Sequence, residues 1–262
     1  MKKSVEEKEL EKLRKKETQL QNKKAKQEES FLNHFLETKI PVTLQSKLES
    51  AFFCAFKLVF SKGTAVIEKT YNTDKMQQDF DIRSYTADVR QTRKSIKSFQ
   101  KGSRTSLNEF LSGASGVTLG AFGIGLPDIP LFISFILKSV YQISLNYGYD
   151  YTTDKEKEFI LNIINASLLK GDDFQTADMA IDYFIENNQF KTALTEDENI
   201  RNVSNILSKE LLYTKFLQGI PIVGAVGGSY DYIYIKRLTN YAKLKYYKRF
   251  LNDRQKRKTK IK

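Results

Sequence analysis

The pattern of polar and apolar positions divides the chain into a charged opening and a folded remainder. Residues 1–30 are almost wholly Lys, Glu, Gln and Arg, and after Val5 only Leu10, Leu13 and Leu20 are sizeable apolar side chains. These leucines occupy three of four consecutive a/d positions of a heptad, and Glu17 takes the fourth. That is too short for a coiled coil, so 1–30 is read as a charged helical or disordered arm, solvated rather than packed. From Phe31 onward the pattern predicts helices around 43–61, 64–97, 104–125, 129–147, 154–170, 176–187, 197–218 and 222–251.

Several boundaries carry physical signals. Asp128 is suited to N-cap a helix, Pro130 falls in a first turn where its missing N–H costs nothing, and Gly148 suits the left-handed position after a helix end. Thr153-Asp154-Lys155-Glu156 has the spacing of a capping box, and Gly171 is read as closing that helix.

Two runs depart from an ordinary soluble pattern. Residues 110–127 are 18 consecutive uncharged residues, and nine more separate Asp128 from Lys138. Within the first run Ser112, Gly116 and Gly120 recur every four residues, with Gly113 and Gly123 near the same face. Each interior glycine costs a helix roughly 1 kcal/mol relative to alanine, so something must offset the five between Gly113 and Gly125. Close helix packing, in a soluble core or in lipid, would do so. The next segment, Leu131 to Tyr141, is apolar nearly all round and forms with its predecessor a candidate hairpin tipped by Leu126-Pro127-Asp128-Ile129-Pro130. The second run, Phe216 to Tyr230, contains Pro221, Gly224, Gly227 and Gly228. The expectation is an all-α multi-helix bundle in which two Gly-rich helices pack tightly or enter a membrane part way.

Charge changes the picture at the C-terminus. The net charge is +12, but residues 236–262 hold 12 Lys/Arg against Asp253, and the other 235 residues hold 31 basic and 30 acidic side chains. Lys243, Lys245, Lys248, Arg249, Arg254, Lys256, Arg257 and Lys258 interleave with Tyr241, Tyr246, Tyr247 and Phe250. Cations near an anionic leaflet gain about 1 kcal/mol each, and tyrosine favours the headgroup zone, so these eight are read as anionic-lipid-binding. The alternative is a basic tail with its apolar positions facing the core. Residues 252–262 are taken as a separate basic tail. Arg90, Arg93, Lys94, Lys97, Lys101 and Arg104 form a second basic strip before the first uncharged run, as inner-leaflet retention predicts.

These pieces in order resemble the EcsC family of bacterial proteins. The resemblance rests on Leu126-Pro127-Asp128-Ile129-Pro130, on Tyr147-Gly148-Tyr149-Asp150 with Glu156 and Glu158 after it, on Ile220-Pro221-Ile222-Val223-Gly224-Ala225, and on Ala242 to Leu251 ending in Arg249-Phe250-Leu251. It covers most of 45–251, so 31–251 is the expected domain. It implies a helical domain accessory to membrane systems, in some bacteria encoded beside an ABC transporter. It brings no established catalytic residues.

Chemistry is short of parts. His34 is the only histidine and reads as a surface residue; Cys54, in the apolar run 51–56, suits a core and a reducing compartment. No Ser-His-Asp, Cys-His or His/Cys zinc site can be assembled, and no nucleotide cradle follows a strand, so no cofactor or metal is expected. The N-terminus lacks the apolar core of a secretory signal. The sequence therefore predicts a non-enzymatic cytoplasmic protein, peripheral to or partly inserted in the inner face of the membrane and assisting a transporter or another membrane protein. Two rivals stand: a carboxylate enzyme for lipid-like substrates using Asp128, Asp150 or Asp231, and a soluble nucleic-acid binder, disfavoured for want of a recognisable module.

Overall fold

A computed structural model describes residues 3–25, 41–60, 64–102, 129–219 and 230–260. Every regular element among them is a helix. In chain order they are α1 Val5–Ala25, α2 Val42–Leu58, α3 Thr64–Glu68, α4 Thr73–Arg90, α5 Arg93–Gly102, α6 Ile129–Asn146, α7 Asp154–Leu168, α8 Gly171–Asn187, α9 Glu196–Gly219 and α10 Tyr230–Lys260. The predicted helix 104–125, the tip Leu126-Pro127-Asp128, residues 220–229 and His34 lie outside the described residues.

The core forms around α7, whose Phe159, Ile160, Leu161, Ile163, Ile164, Ala166 and Leu168 are all buried. Side chains on every face must be covered, and α8, α9 and α10 pack around it. The apolar α6 lies between α2, α4 and α10, burying Ile133, Ile136, Leu137, Val140, Tyr141 and Ile143.

Three boundaries differ from the sequence reading. The single helix expected over 64–97 is broken into α3, α4 and α5. Asn72 N-caps α4 by accepting the Lys75 N–H at 2.8 Å, Gln91 ends it with φ 46°, and the Thr92 hydroxyl accepts the Ser95 N–H at 3.3 Å to begin α5. Helix α7 ends at Leu168, and Gly171, φ +54°, opens α8 rather than closing its predecessor. Helix α10 runs to Lys260, so the residues set apart as a tail extend the same helix.

Cys54 also differs, being exposed. On α2 the buried positions are Leu48, Phe52, Ala55 and Phe56, and helical spacing turns Cys54 away from them. The signal at 148 holds in detail, and that at 153 holds for the N-cap half of the capping box. The Gly148 N–H reaches the Leu145 carbonyl at 2.9 Å and the Tyr149 N–H reaches that of Ser144 at 3.1 Å, a Schellman closure of α6 with Gly148 at φ +78°. The Thr153 hydroxyl accepts the Glu156 N–H at 3.3 Å.

The charged opening is a packed helix. Helix α1 lies against α10, α8 and α5, with Glu6, Glu9, Leu13, Glu17 and Lys24 buried along one face. The solvated reading gives way because α10 supplies cations for those acids.

Candidate functional site

The basic positions of α10 sit opposite α1, and the two helices run antiparallel. Glu6 faces Arg254 and Lys258 at 3.4 and 2.7 Å, and Glu17 faces Lys245 and Lys248 at 3.0 and 2.9 Å. Between them the Glu9 carboxylate is 3.5 Å from the Tyr247 hydroxyl and also accepts from Arg93 at 2.6 Å. Glu17, which interrupts the leucine heptad in the sequence, occupies the seam position that meets these lysines.

Lys245 is the centre of this ladder. It is 0% exposed and contacts Glu17, Asp178 and Asp182 at 3.0, 2.8 and 2.7 Å. Burial pushes its ammonium down, and the three carboxylates reverse that and hold it above the ordinary lysine value. Asp178 also accepts from Tyr241 at 2.7 Å and Gln21 at 3.0 Å. Burial raises its carboxyl, and Lys245 with these hydroxyl and amide donors brings it below the usual value. Glu6 behaves likewise: burial raises it, and Lys258 and Arg254 overcome that.

The motif residues Tyr147, Gly148, Tyr149, Glu156, Arg249 and Phe250 meet along the C-terminal half of α10. Glu156 does not complete its capping box; its carboxylate instead accepts from Arg249 at 2.7 Å and Tyr246 at 2.5 Å. The Arg249 guanidinium lies 3.9 Å from the Tyr149 ring centroid and 4.7 Å from that of Phe159. Tyr149 donates to Asp253 at 2.8 Å, and the Tyr147 ring lies 5.8 Å from Phe250. Gly148 lies where a Cβ would collide with the Phe80 ring. These residues tie the α6–α7 turn to α10.

The remaining sequence candidates are dispersed. Pro130 is half-buried in the first turn of α6 and accepts a bond from Ser134 at 2.8 Å. Asp150 is exposed and closes a turn, accepting from the Thr152 N–H at 2.9 Å and hydroxyl at 2.7 Å. The side chain of Asp231, with all of Asp128, Pro221 and the named small residues Ser112, Gly113, Gly116, Gly120, Gly123, Gly224, Gly227 and Gly228, lies outside the described residues. Among the described residues, no group of three or more His, Cys, Asp or Glu could hold a metal ion, and no helix is long and apolar enough to cross a membrane. Of the eight basic positions, Lys245, Lys248, Arg249, Arg254 and Lys258 carry ion pairs inside the fold and Lys243 is half-buried. Lys256 donates to the Glu186 carbonyl at 2.5 Å and remains exposed, as does Arg257.

The sequence reading missed the acids that answer these cations. Glu6, Glu9 and Glu17 recur at three- and eight-residue steps on one face of α1 and are legible as a stripe once α1 is known to pack. Asp178 and Asp182, four apart on α8, are the same kind of signal.

At α10's other end the surroundings change. Lys24 Nζ donates to the Ser167 and Leu169 carbonyls at 2.7 and 2.6 Å, which places the end of α1 beside the end of α7. A small apolar pocket there, lined by Phe132, Leu168, Leu207, Tyr234 and Leu238 among others, gathers the start of α6, the end of α7, α9 and the start of α10. In the chain, α6 begins two residues after the first uncharged run stops at residue 127, and α10 begins where the second run ends.

No curated protein and no solved structure matches the chain. The sequence model of the EcsC protein family matches residues 4–251, taking in α1, which the sequence reading set apart, and most of α10. Coverage of that extent makes the chain a member of the EcsC family.

Proposed function

We propose that the protein is a non-enzymatic, membrane-associated accessory factor that meets the cytoplasmic face of a membrane with the end of the bundle where α6 and α10 begin. The observation that carries this reading is that the starts of α6 and α10, each next in sequence to an uncharged run, share an apolar pocket beside the cations Lys24, Lys170 and Arg237. Apolar, small-residue segments flanked by positive charge suit an anionic inner leaflet. A transporter or other membrane protein would be the partner at that surface.

The basic end of α10 supports the reading less strongly, because most of its cations are already matched by acids. It also lies far from the start of α10: 31 residues at about 1.5 Å each make the helix about 46 Å long. A single membrane contact engages both ends only if α10 lies flat on the surface.

Flotation with phosphatidylglycerol and phosphatidylcholine vesicles at low and high salt tests this. Binding that requires the anionic lipid, and survives Arg257→Gln combined with Lys256→Gln, is expected. Failure to float with either vesicle at any salt concentration overturns the membrane reading.

A further inference from the structure

The ladder between α1 and α10 follows one rule until its last rung. At Glu6 and Glu17 an acid of α1 meets bases of α10; at Gln21 the side chain reaches Asp178, which Lys245 and Tyr241 already hold. One turn further, the antiparallel register brings Lys24 level with Arg237, a cation opposite a cation. Lys24 is 4% exposed, and its bonds are to the carbonyls of Ser167 and Leu169, with the Phe174 ring at 5.0 Å. Arg237 rests on the Tyr234 ring at 5.5 Å, and its Nη1 is buried without a hydrogen-bond partner. Lys170, between α7 and α8, adds a third positive charge and is 3.1 Å from Glu210.

Like charges gathered this way repel, and a buried guanidinium N–H with nothing to bind is costly. The nearby acids Glu210 and Asp178 act on Lys24 without bonding to it, and none bonds to the Arg237 Nη1. Glu210 is held by Lys170, Asp178 is held by Lys245, and Asp172 and Asp173 are exposed in the first turn of α8. We infer that Lys24, Lys170 and Arg237 form a binding site for a phosphate group, with the unpartnered Arg237 Nη1 as its principal donor and Lys170 at the solvent-facing side. Guanidinium and ammonium groups are the usual donors to phosphate oxygens, and a phosphate placed here supplies the negative charge the last rung lacks. Burial first and then Arg237 lower the Lys24 ammonium to about 7, and a nearby anion would oppose that lowering.

The phosphate could belong to a lipid headgroup, with the adjoining pocket of Leu168, Tyr234 and Leu238 taking apolar atoms, or to a free soluble phosphate. The site stands on its own geometry whichever source is correct.

Isothermal titration of the full chain with inorganic phosphate, at constant ionic strength in chloride, is compared with flotation on phosphatidylglycerol vesicles. Arg237→Gln and Lys170→Gln should each weaken phosphate binding at least tenfold, and Arg257→Gln at the far end should leave it unchanged; Lys170, which is partly exposed, keeps the test open if Arg237→Gln fails to fold. Vesicle binding that Arg237→Gln abolishes and millimolar phosphate displaces assigns the site to a headgroup. Phosphate binding sensitive to both variants without any vesicle binding assigns it to a soluble phosphate, upholding the site while the membrane reading fails. Phosphate binding that both variants leave intact overturns the site, as does absence of phosphate binding with flotation unaffected by Arg237→Gln; the second outcome leaves the membrane reading standing.

Discussion

The two ends of α10 carry similar charges in very different company. Near its C-terminus each buried cation has carboxylates arranged around it, with Lys245 alone touching three. Near its N-terminus Arg237 faces Lys24, and the bonds described for Lys24 are to two backbone carbonyls. Matched charges of this kind hold helices in register, whereas unmatched ones leave a field that a ligand can answer. A surplus of basic residues in a sequence therefore says little about binding until their partners are counted.

The strongest test of this contrast removes one lysine from each end. Lys245→Met leaves Glu17, Asp178 and Asp182 crowded together with Lys248, and breaking a buried ion pair this way costs about 3–5 kcal/mol. Lys24→Met at pH 6 should cost less than about 1 kcal/mol or stabilise, since it removes a charge that burial disfavours. Urea denaturation of both variants decides it, and equal losses would erase the distinction between the ends.

Gly148→Ala should cost about 1–3 kcal/mol through its positive φ, with the Phe80 contact adding to that. It loosens the hub around Arg249 and Glu156 without altering either charge set. Its loss in urea unfolding should be the same at low and high salt, unlike that of Lys245→Met.

Titration gives an effect of about 2 kcal/mol. The folded Lys24 value, about 7, lies below that of a free lysine, so the unfolded chain binds more protons between pH 7 and 10. The stability contribution of this group therefore rises as pH increases from 7 to 9. The rise should disappear in Lys24→Met and shrink in saturating phosphate, as melts at each pH would show. The smallest effect belongs to Arg257→Gln, an exposed position whose loss should change stability by less than about 0.5 kcal/mol.

Much of the fold was legible because its signals are local. The Schellman glycine at 148, the N-cap at Thr153 and the apolar faces of α6 and α7 each depend on residues within one or two turns. The break at Asn72 was equally local and was missed, because the polar run Tyr71-Asn72-Thr73-Asp74 continues a helical pattern without proline or glycine. The basic positions were legible as a cluster but their environment was not. Whether Lys245 faces lipid or three carboxylates depends on α1 and α8, which lie 228 and 63 residues away in the chain. Lys24 was invisible as a candidate for the same reason: within its own segment it is one lysine among many, and only docking against α7 and α10 distinguishes it.

The pairing of α1 with α10 also sets an order of events during synthesis. Contacts such as Glu6 with Arg254 join residues 248 positions apart, so α1 cannot dock until almost all of the matched chain has been made. At about 5–20 residues per second, that leaves α1 waiting roughly 12–50 seconds. Alone it is a highly charged 21-residue helix with little apolar surface to bury, marginal by the cooperativity of helix formation. Docking α1 is consequently a late, non-local step, and until it happens the acceptors for Lys245 and Arg254 are incomplete and the positive charge of the C-terminal helix is only partly covered.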